Sequence, residues 1–221
     1  GRLYRYFYIY FKTFSAPTIE TLFLLVLSIL VMESAVSIRS LYRHFLSGIT
    51  EKSLNAFYYA CSYAKADYSR FMNVTAGMAL KPVPDGLQSQ PVFLCIDDTM
   101  VAKSGTKFEN VSKLFDHASH NGANYLNGHC FVSVMLCVPV WNKSKIRYLS
   151  IPPGYRMWEK TESKLELAAS MVRQAMPAFS EKKNVIILCD SWYVKKNLVS
   201  IVDEYENLDI CLLYTSPSPR D

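Results

Sequence analysis

A chain of 221 residues, half of them hydrophobic, can bury a core and holds one or two domains, which excludes a disordered polypeptide. The formal net charge of +5 is concentrated at the front, where residues 1–70 hold eight Lys/Arg against four acids. That balance is compatible with contact to a phosphate backbone but falls far below a dedicated polybasic arm, and an ordinary solvated surface explains it at least as well.

Residues 4–11 are unusually aromatic, and residues 21–32 (TLFLLVLSILVM) form an apolar run bracketed by Glu20 and Glu33. The run is short of the roughly 20 residues a membrane span needs, so a buried core helix is expected, entered through Pro17-Thr18-Ile19-Glu20. No small-residue cleavage site follows it, which disfavours a signal peptide; a membrane-associated protein is the lesser alternative. Ile38, Leu41, Tyr42, Phe45 and Leu46 predict a second helix ending at Gly48, and Leu54, Phe57, Tyr58 and Cys61 a third that begins near Thr50 and Glu51. Helices joined by residues 47–50 suit a helix-turn-helix that approaches DNA, or a small helical bundle, which gives the same spacing more often.

Residues 81–90 (KPVPDGLQSQ) read as a linker and domain boundary after a helical region 1–80. Beyond it, residues 91–96, 129–141 and 146–151 read as three strands, with a polar loop over 104–128 that holds Asp116, His117 and His120. Residues 163–176 carry Leu165, Leu167, Ala168, Met171, Val172 and Ala175 at helical spacing, giving a helix with one apolar face. Residues 185–189 form a fourth strand whose continuous apolarity suits a central parallel position. An amphipathic helix is expected over 194–207. The six cysteines form no CxxC pair or His-spaced ligand set and read as reduced, buried thiols of a cytosolic protein. The last ten residues (LLYTSPSPRD) neither continue nor cap the strand that starts near Leu208; they resemble translated read-through of a sequencing-library adapter, which implies a natural protein that continues beyond about Cys211.

Asp97-Asp98-Thr99 follows the apolar run 93–96, and Asp190 follows the run 185–189. A carboxylate at the end of a buried strand is held rigidly at the sheet's edge, where it can grip a cation. Cleavage of phosphodiesters by two metals needs divalent ions roughly 3.5–4 Å apart, and magnesium prefers oxygen ligands, so Asp98 and Asp190 are suited to bridge such a pair. The plainer alternative is that Asp-Asp-Thr caps a turn or a helix. A single strand-terminal aspartate would favour that; two in matching positions favour a site.

The segment Asp97-Asp98-Thr99-Met100-Val101-Ala102-Lys103-Ser104-Gly105 resembles the DDTxxxKxG pattern around the first catalytic aspartate of insertion-sequence transposases of the DDE superfamily, and residues 185–193 (VIILCDSWY) resemble their second catalytic strand. The likeness covers residues 91–211 well and the helical front loosely. It implies an α/β fold, a ribonuclease H-like mixed sheet with the order strand, strand, strand, helix, strand, preceded by an α-helical N-terminal region. It implies DNA cleavage at transposon ends and strand transfer, with Asp98 and Asp190 holding two Mg2+ (or Mn2+) ions and Asp97 as the alternative to Asp98. Thr99 would orient its neighbour, and Lys103 would contact phosphate. The implied partners are transposon-end and target DNA and a second copy in a homodimer, with no membrane, in the bacterial cytoplasm at the nucleoid.

Arg156, beside Tyr155 in the loop after the third strand, suits a DNA contact or a structural role. The resemblance also implies a third ligand, a glutamate on a later helix. Glu204 and Glu206 lie only 14 and 16 residues after Asp190 and read as solvated surface acids, so that glutamate is expected to be missing and the fragment inactive. His117, His120 and His129 fit no zinc spacing and are assigned no metal. Trp141, Trp158 and Trp192 are most simply core or rim packing. Three rivals stand beside the transposase: a nuclease of the same fold without strand transfer, a nucleic-acid-binding or structural module whose aspartates are caps, and a membrane-associated protein, which predicts that the helix over 21–32 is exposed on the surface.

Overall fold

The computed structural model describes residues 1–34, 37–105, 109–115, 125–190, 193 and 196–213, the side chains of residues 68, 196, 197, 212 and 213 excepted. Asp116, His117, His120, Trp192 and the Ser/Pro tail from residue 214 lie outside them. The chain divides into two compact units, Gly1–Asp67 and Tyr68–Asp221.

The first unit is helical: α1 (Arg2–Phe11), α2 (Ala16–Val31), α3 (Ile38–His44) and α4 (Leu54–Tyr63), with a 3-10 turn at Leu46–Gly48. Pro17 sits in the first turn of α2, where its missing N–H costs nothing, and Ser37 caps α3 by accepting the Ser40 N–H. Leu41, Leu46 and Phe57 form the core, packed by Leu24, Leu25, Ile38, Tyr42 and Phe45. α2 is not the fully buried helix its composition predicts. Its buried positions are Ile19, Thr21 and Ser28, the last two turning their hydroxyls back onto the Pro17 and Leu25 carbonyls, while Ile29, Leu30 and Val31 are exposed. Among the described residues no helix is long and apolar enough to cross a membrane.

The second unit is α/β. It opens with α5 (Tyr68–Leu80), then β1 (Val92–Ala102), β2 (Ser112–Phe115), β3 (Tyr125–Asn142), β4 (Lys145–Met157), α6 (Lys164–Ala175), β5 (Val185–Asp190), α7 (Lys196–Val199) and β6 (Leu208–Leu213). The strands form one mixed sheet in the order β2-β3-β1-β5-β6, with β4 also on β3. β1, β3 and β4 are antiparallel neighbours, whereas β5 runs parallel to both β1 and β6. The expected succession of three strands, a helix and a further strand is present, with β2 as an added short strand. β3 and β4 are longer than their apolar runs because their far ends are paired as well, residues 125–128 with β2 and residues 154–157 with residues 131–134 of β3, so Arg156 lies in β4 and not in a loop after it. A two-residue turn, Lys143-Ser144, joins the two strands with both residues at positive φ, the conformation whose twist matches a hairpin.

One face of the sheet carries the core. Val92, Leu94 and Ile96 of β1, Val132, Val134 and Leu136 of β3 and Val185 and Ile187 of β5 are buried at alternate positions against Leu167, Ala168, Met171 and Val172 of α6 and Met72, Ala76 and Ala79 of α5. Residues 81–90 are therefore not a linker between domains. Val83 and Leu87 are buried in this same core, and the Lys183 ammonium donates to the Gln88 carbonyl at 2.8 Å. A second difference concerns the region after β5: the expected helix over 194–207 is the single turn α7 followed by a 3-10 segment, Ser200–Glu204, which packs Leu198 and Ile201 inward. Nor are all six thiols buried. Cys61 and Cys211 are exposed, and the Cys95 and Cys137 sulfurs sit 3.8 Å apart, half-buried, across β1 and β3.

Candidate active site

β1 is an eleven-residue strand that does not stop at its apolar run. Its parallel pairing with β5 ends at Ile96 opposite Cys189, but β3 continues to pair it from Asp97 opposite Ser133 to Ala102 opposite Gly128. Asp98 thus lies within β1 rather than closing it, just past the point where β5 leaves. Asp190 is the last residue of β5. The two aspartates, 92 residues apart in the chain, stand on adjacent parallel strands just past the end of their pairing, where β5 stops and β1 runs on, near the carboxyl edge that usually forms the ligand crevice in open sheets of this kind.

A cleft of about 690 Å³ opens there, lined by Asp97, Asp98 and Asp190 together with Lys113, Lys160, Lys164, Trp158 and Tyr193 among others. Asp98 is its most tightly held member. On a pleated strand it shares the core-facing side with Leu94 and Ile96, and three donors converge on its carboxylate. The Lys164 ammonium and the Cys130 thiol reach Oδ2 at 2.5 and 3.4 Å, and the Tyr193 hydroxyl reaches Oδ1 at 3.2 Å. Half-burial pushes the Asp98 carboxyl up, but the Lys164 ammonium and the two other donors outweigh it and hold the group below the ordinary carboxylate value. Lys164 answers in kind: burial pulls it down, yet the Asp98 carboxylate leaves it raised. Burial first, and then the Asp98 charge, push the Tyr193 phenol up, so it stays a donor.

The Asp97 side chain is exposed, and its Oδ1 accepts the Asp98 N–H at 2.8 Å while Ser133 donates to its carbonyl. Asp190 is exposed at the cleft. Three carboxylates around one cleft offer the hard oxygen donors that magnesium takes, and an ion that keeps its waters and binds substrate phosphates needs only one or two of them. Among the described residues, no group of three or more His, Cys, Asp or Glu is arranged to hold a metal ion.

The other expected residues fall as follows. Thr99 is exposed on β1, opposite Phe131. Lys103 stands just beyond β1, its N–H donating to the Asn127 carbonyl, and is not among the cleft's lining residues. Arg156 is tied to Glu162 at 3.8 Å and to the Ser170 hydroxyl at 3.4 Å, beside a smaller cleft with Tyr155 and Glu159. Glu204 forms a two-pronged exposed pair with Arg173, Glu206 is exposed, and neither lines the larger cleft. His129 donates from Nε2 to the Glu109 carbonyl at 2.8 Å. Trp158 lines the cleft and its indole N–H donates to the Glu162 carbonyl, whereas Trp141 is 52% exposed rather than packed in the core.

Sequence reasoning missed Lys164, Tyr193, Lys113 and Lys160. One signal for Lys164 was present: Ser163-x-x-Glu166 is a capping box that starts α6, with both reciprocal hydrogen bonds formed, and it fixes Lys164 as the first helical residue. Comparison of the chain with protein-family models, with curated proteins and with solved structures finds no match.

Proposed function

We propose that the second unit is the ribonuclease H-like catalytic core of a DDE transposase, which cuts DNA at transposon ends and joins the freed 3′-hydroxyl to target DNA. The observation that carries this reading is that Asp98 and Asp190, remote in sequence, line one cleft just past the end of the pairing between β1 and β5. The motif likeness around residues 97–105 and 185–193 and the succession of strands and helix support it. Asp98 and Asp190, with Asp97 beside them, would hold the metal. Divalent ions, when bound, activate the attacking oxygen and steady the leaving one. The exposed Lys113 and Lys160 on the cleft's rim supply charge for a DNA backbone. The basic helical unit is proposed to add contacts to the transposon ends.

One observation favours a second reading, in which Asp98 is a structural ion-pair hub and the chain only binds nucleic acid: both of its oxygens already hold protein donors. Calorimetric titration with Mn2+ separates the two. The transposase reading expects a divalent site that is lost in both Asp98→Asn and Asp190→Asn; a chain that binds no Mn2+, or binds it unchanged in both variants, overturns it. Among the described residues no glutamate lines the cleft, so metal binding rather than DNA cleavage is the readout that tests this chain.

A further inference from the structure

The capping box places Lys164 where its own helix has no use for it. A cation in the first turn opposes the helix dipole, whose positive end favours acids such as Glu166. What Lys164 meets instead is Asp98 of β1, 66 residues away in the chain, with the two side chains only 17% and 22% exposed. The ammonium also lies over the Trp158 ring, 5.2 Å from its centre, so aromatic face and carboxylate together hold the charge. The Cys130 thiol shares the same carboxylate oxygen.

From this arrangement we infer that Lys164 is a positioning residue that acts as the resident counter-cation of Asp98: it keeps the carboxylate in place before metal arrives, and a divalent ion binds Asp98 only by displacing it. The inference rests on the reading of Asp98 as a metal ligand. Two positive charges cannot share one half-buried carboxylate without strong repulsion, and the ammonium, a point charge on a flexible four-carbon stem, is the partner that gives way. Once released, it stays at the wall of the cleft, beside Lys160, where a DNA phosphate oxygen can take it as donor.

The test is Mn2+ binding to the full chain, followed by calorimetry. Lys164→Met is expected to tighten Mn2+ at least tenfold, Lys164→Arg is expected not to, and Asp98→Asn is expected to abolish the gain in the Lys164→Met background. Wild-type or weaker affinity in Lys164→Met, with Asp98→Asn still losing the site, overturns the role of Lys164 and leaves Asp98 as a ligand. Unchanged Mn2+ binding in Asp98→Asn overturns both. Should Lys164→Met not fold, wild-type protein labelled with 15N at lysine side chains gives the same answer. The ammonium resonance that is missing from Lys164→Arg is expected to shift along the Mg2+ binding curve, and a resonance that stays fixed while Mg2+ binds overturns the inference.

Discussion

Asp190 stands level with Asp97, not with Asp98: the last parallel rung joins Ile96 to Cys189, and the next residue on each strand is an aspartate. Asp97, Asp98 and Asp190 all line the cleft at this end of the sheet. An ion reaching Asp190 at the tip of β5 therefore has Asp97 within its surroundings. Changes to outer-shell partners alone weaken metal sites by roughly 10–100-fold. Asp97→Asn is accordingly expected to weaken Mn2+ binding by about tenfold or more, measured by calorimetry, and an unaltered affinity would restrict the site to Asp98 and Asp190.

Removing one member of a half-buried charge pair leaves the other without its partner. Lys164→Met is expected to lower the unfolding free energy in urea by about 1.5–3 kcal/mol, the range for hydrogen bonds to charged groups. In a double-mutant cycle with Asp98→Asn the two losses should sum to more than the double variant shows, because the second change removes a charge already orphaned. Additive losses would mean that the contact contributes nothing.

The same pair sets a pH window. Asp98 is held below its ordinary value by Lys164, against the opposing effect of burial, so its contribution is present above the unfolded value of about 3.9 and is lost as pH falls through the lower folded value. Lys164 is raised, so its contribution is present below about 10.4 and is lost as pH rises through the higher folded value. Urea midpoints measured from neutral pH down into the acid range should fall less steeply in Asp98→Asn than in the wild type. Superimposable acid limbs would contradict this assignment.

Gly128 pairs with Ala102 at the far end of β1, and a Cβ there would run into the Val101 carbonyl oxygen, with the Val101 carbonyl carbon 2.9 Å away. Gly128→Ala is expected to cost about 1–3 kcal/mol, as overpacking does, and to speed amide exchange over residues 99–102. Gly86→Ala, where a Cβ meets nothing within 4 Å, is the matched control and should change stability by less than about 0.5 kcal/mol. Equal effects at the two glycines would refute the steric account.

Ser163 both caps α6 and aims Lys164. Ser163→Ala is expected to cost about 1 kcal/mol, the usual loss for a helix N-cap, and to alter the lysine ammonium resonance assigned to Lys164. A stable variant with an unchanged resonance would show that Asp98, not the cap, fixes the lysine.

The strands were readable because their side-chain chemistry is local: Val, Ile and aromatic residues at alternating burial mark β1, β3 and β5, and Leu, Met and Val at helical spacing mark α6. The extent of β1 was not, since residues 97–102 are strand only because β3 pairs with them. The placement of residues 81–90 is hidden for a similar reason. Its Pro and Gly describe a turn correctly, but the burial of Val83 and Leu87 comes from a sheet that no local pattern reveals. Helical spacing after Asp190 fitted α7 and the 3-10 segment as well as it would a continuous helix. Asp98 and Asp190 could be picked as strand-end carboxylates, whereas Lys164 and Tyr193 look like any surface lysine and core tyrosine until the fold brings them to Asp98.

The attachment of residues 81–90 to the sheet bears on where the polypeptide can be divided. Shortening it to begin at residue 91, the break its composition suggests, strips Met72, Ala76, Ala79, Val83 and Leu87 from the hydrophobic interior and takes away the methionine whose Cγ lies 2.8 Å from the Cβ position of Gly154. Beginning instead at residue 68 keeps every one of those groups, so that is the boundary for an isolated second unit intended for crystallisation or spectroscopy.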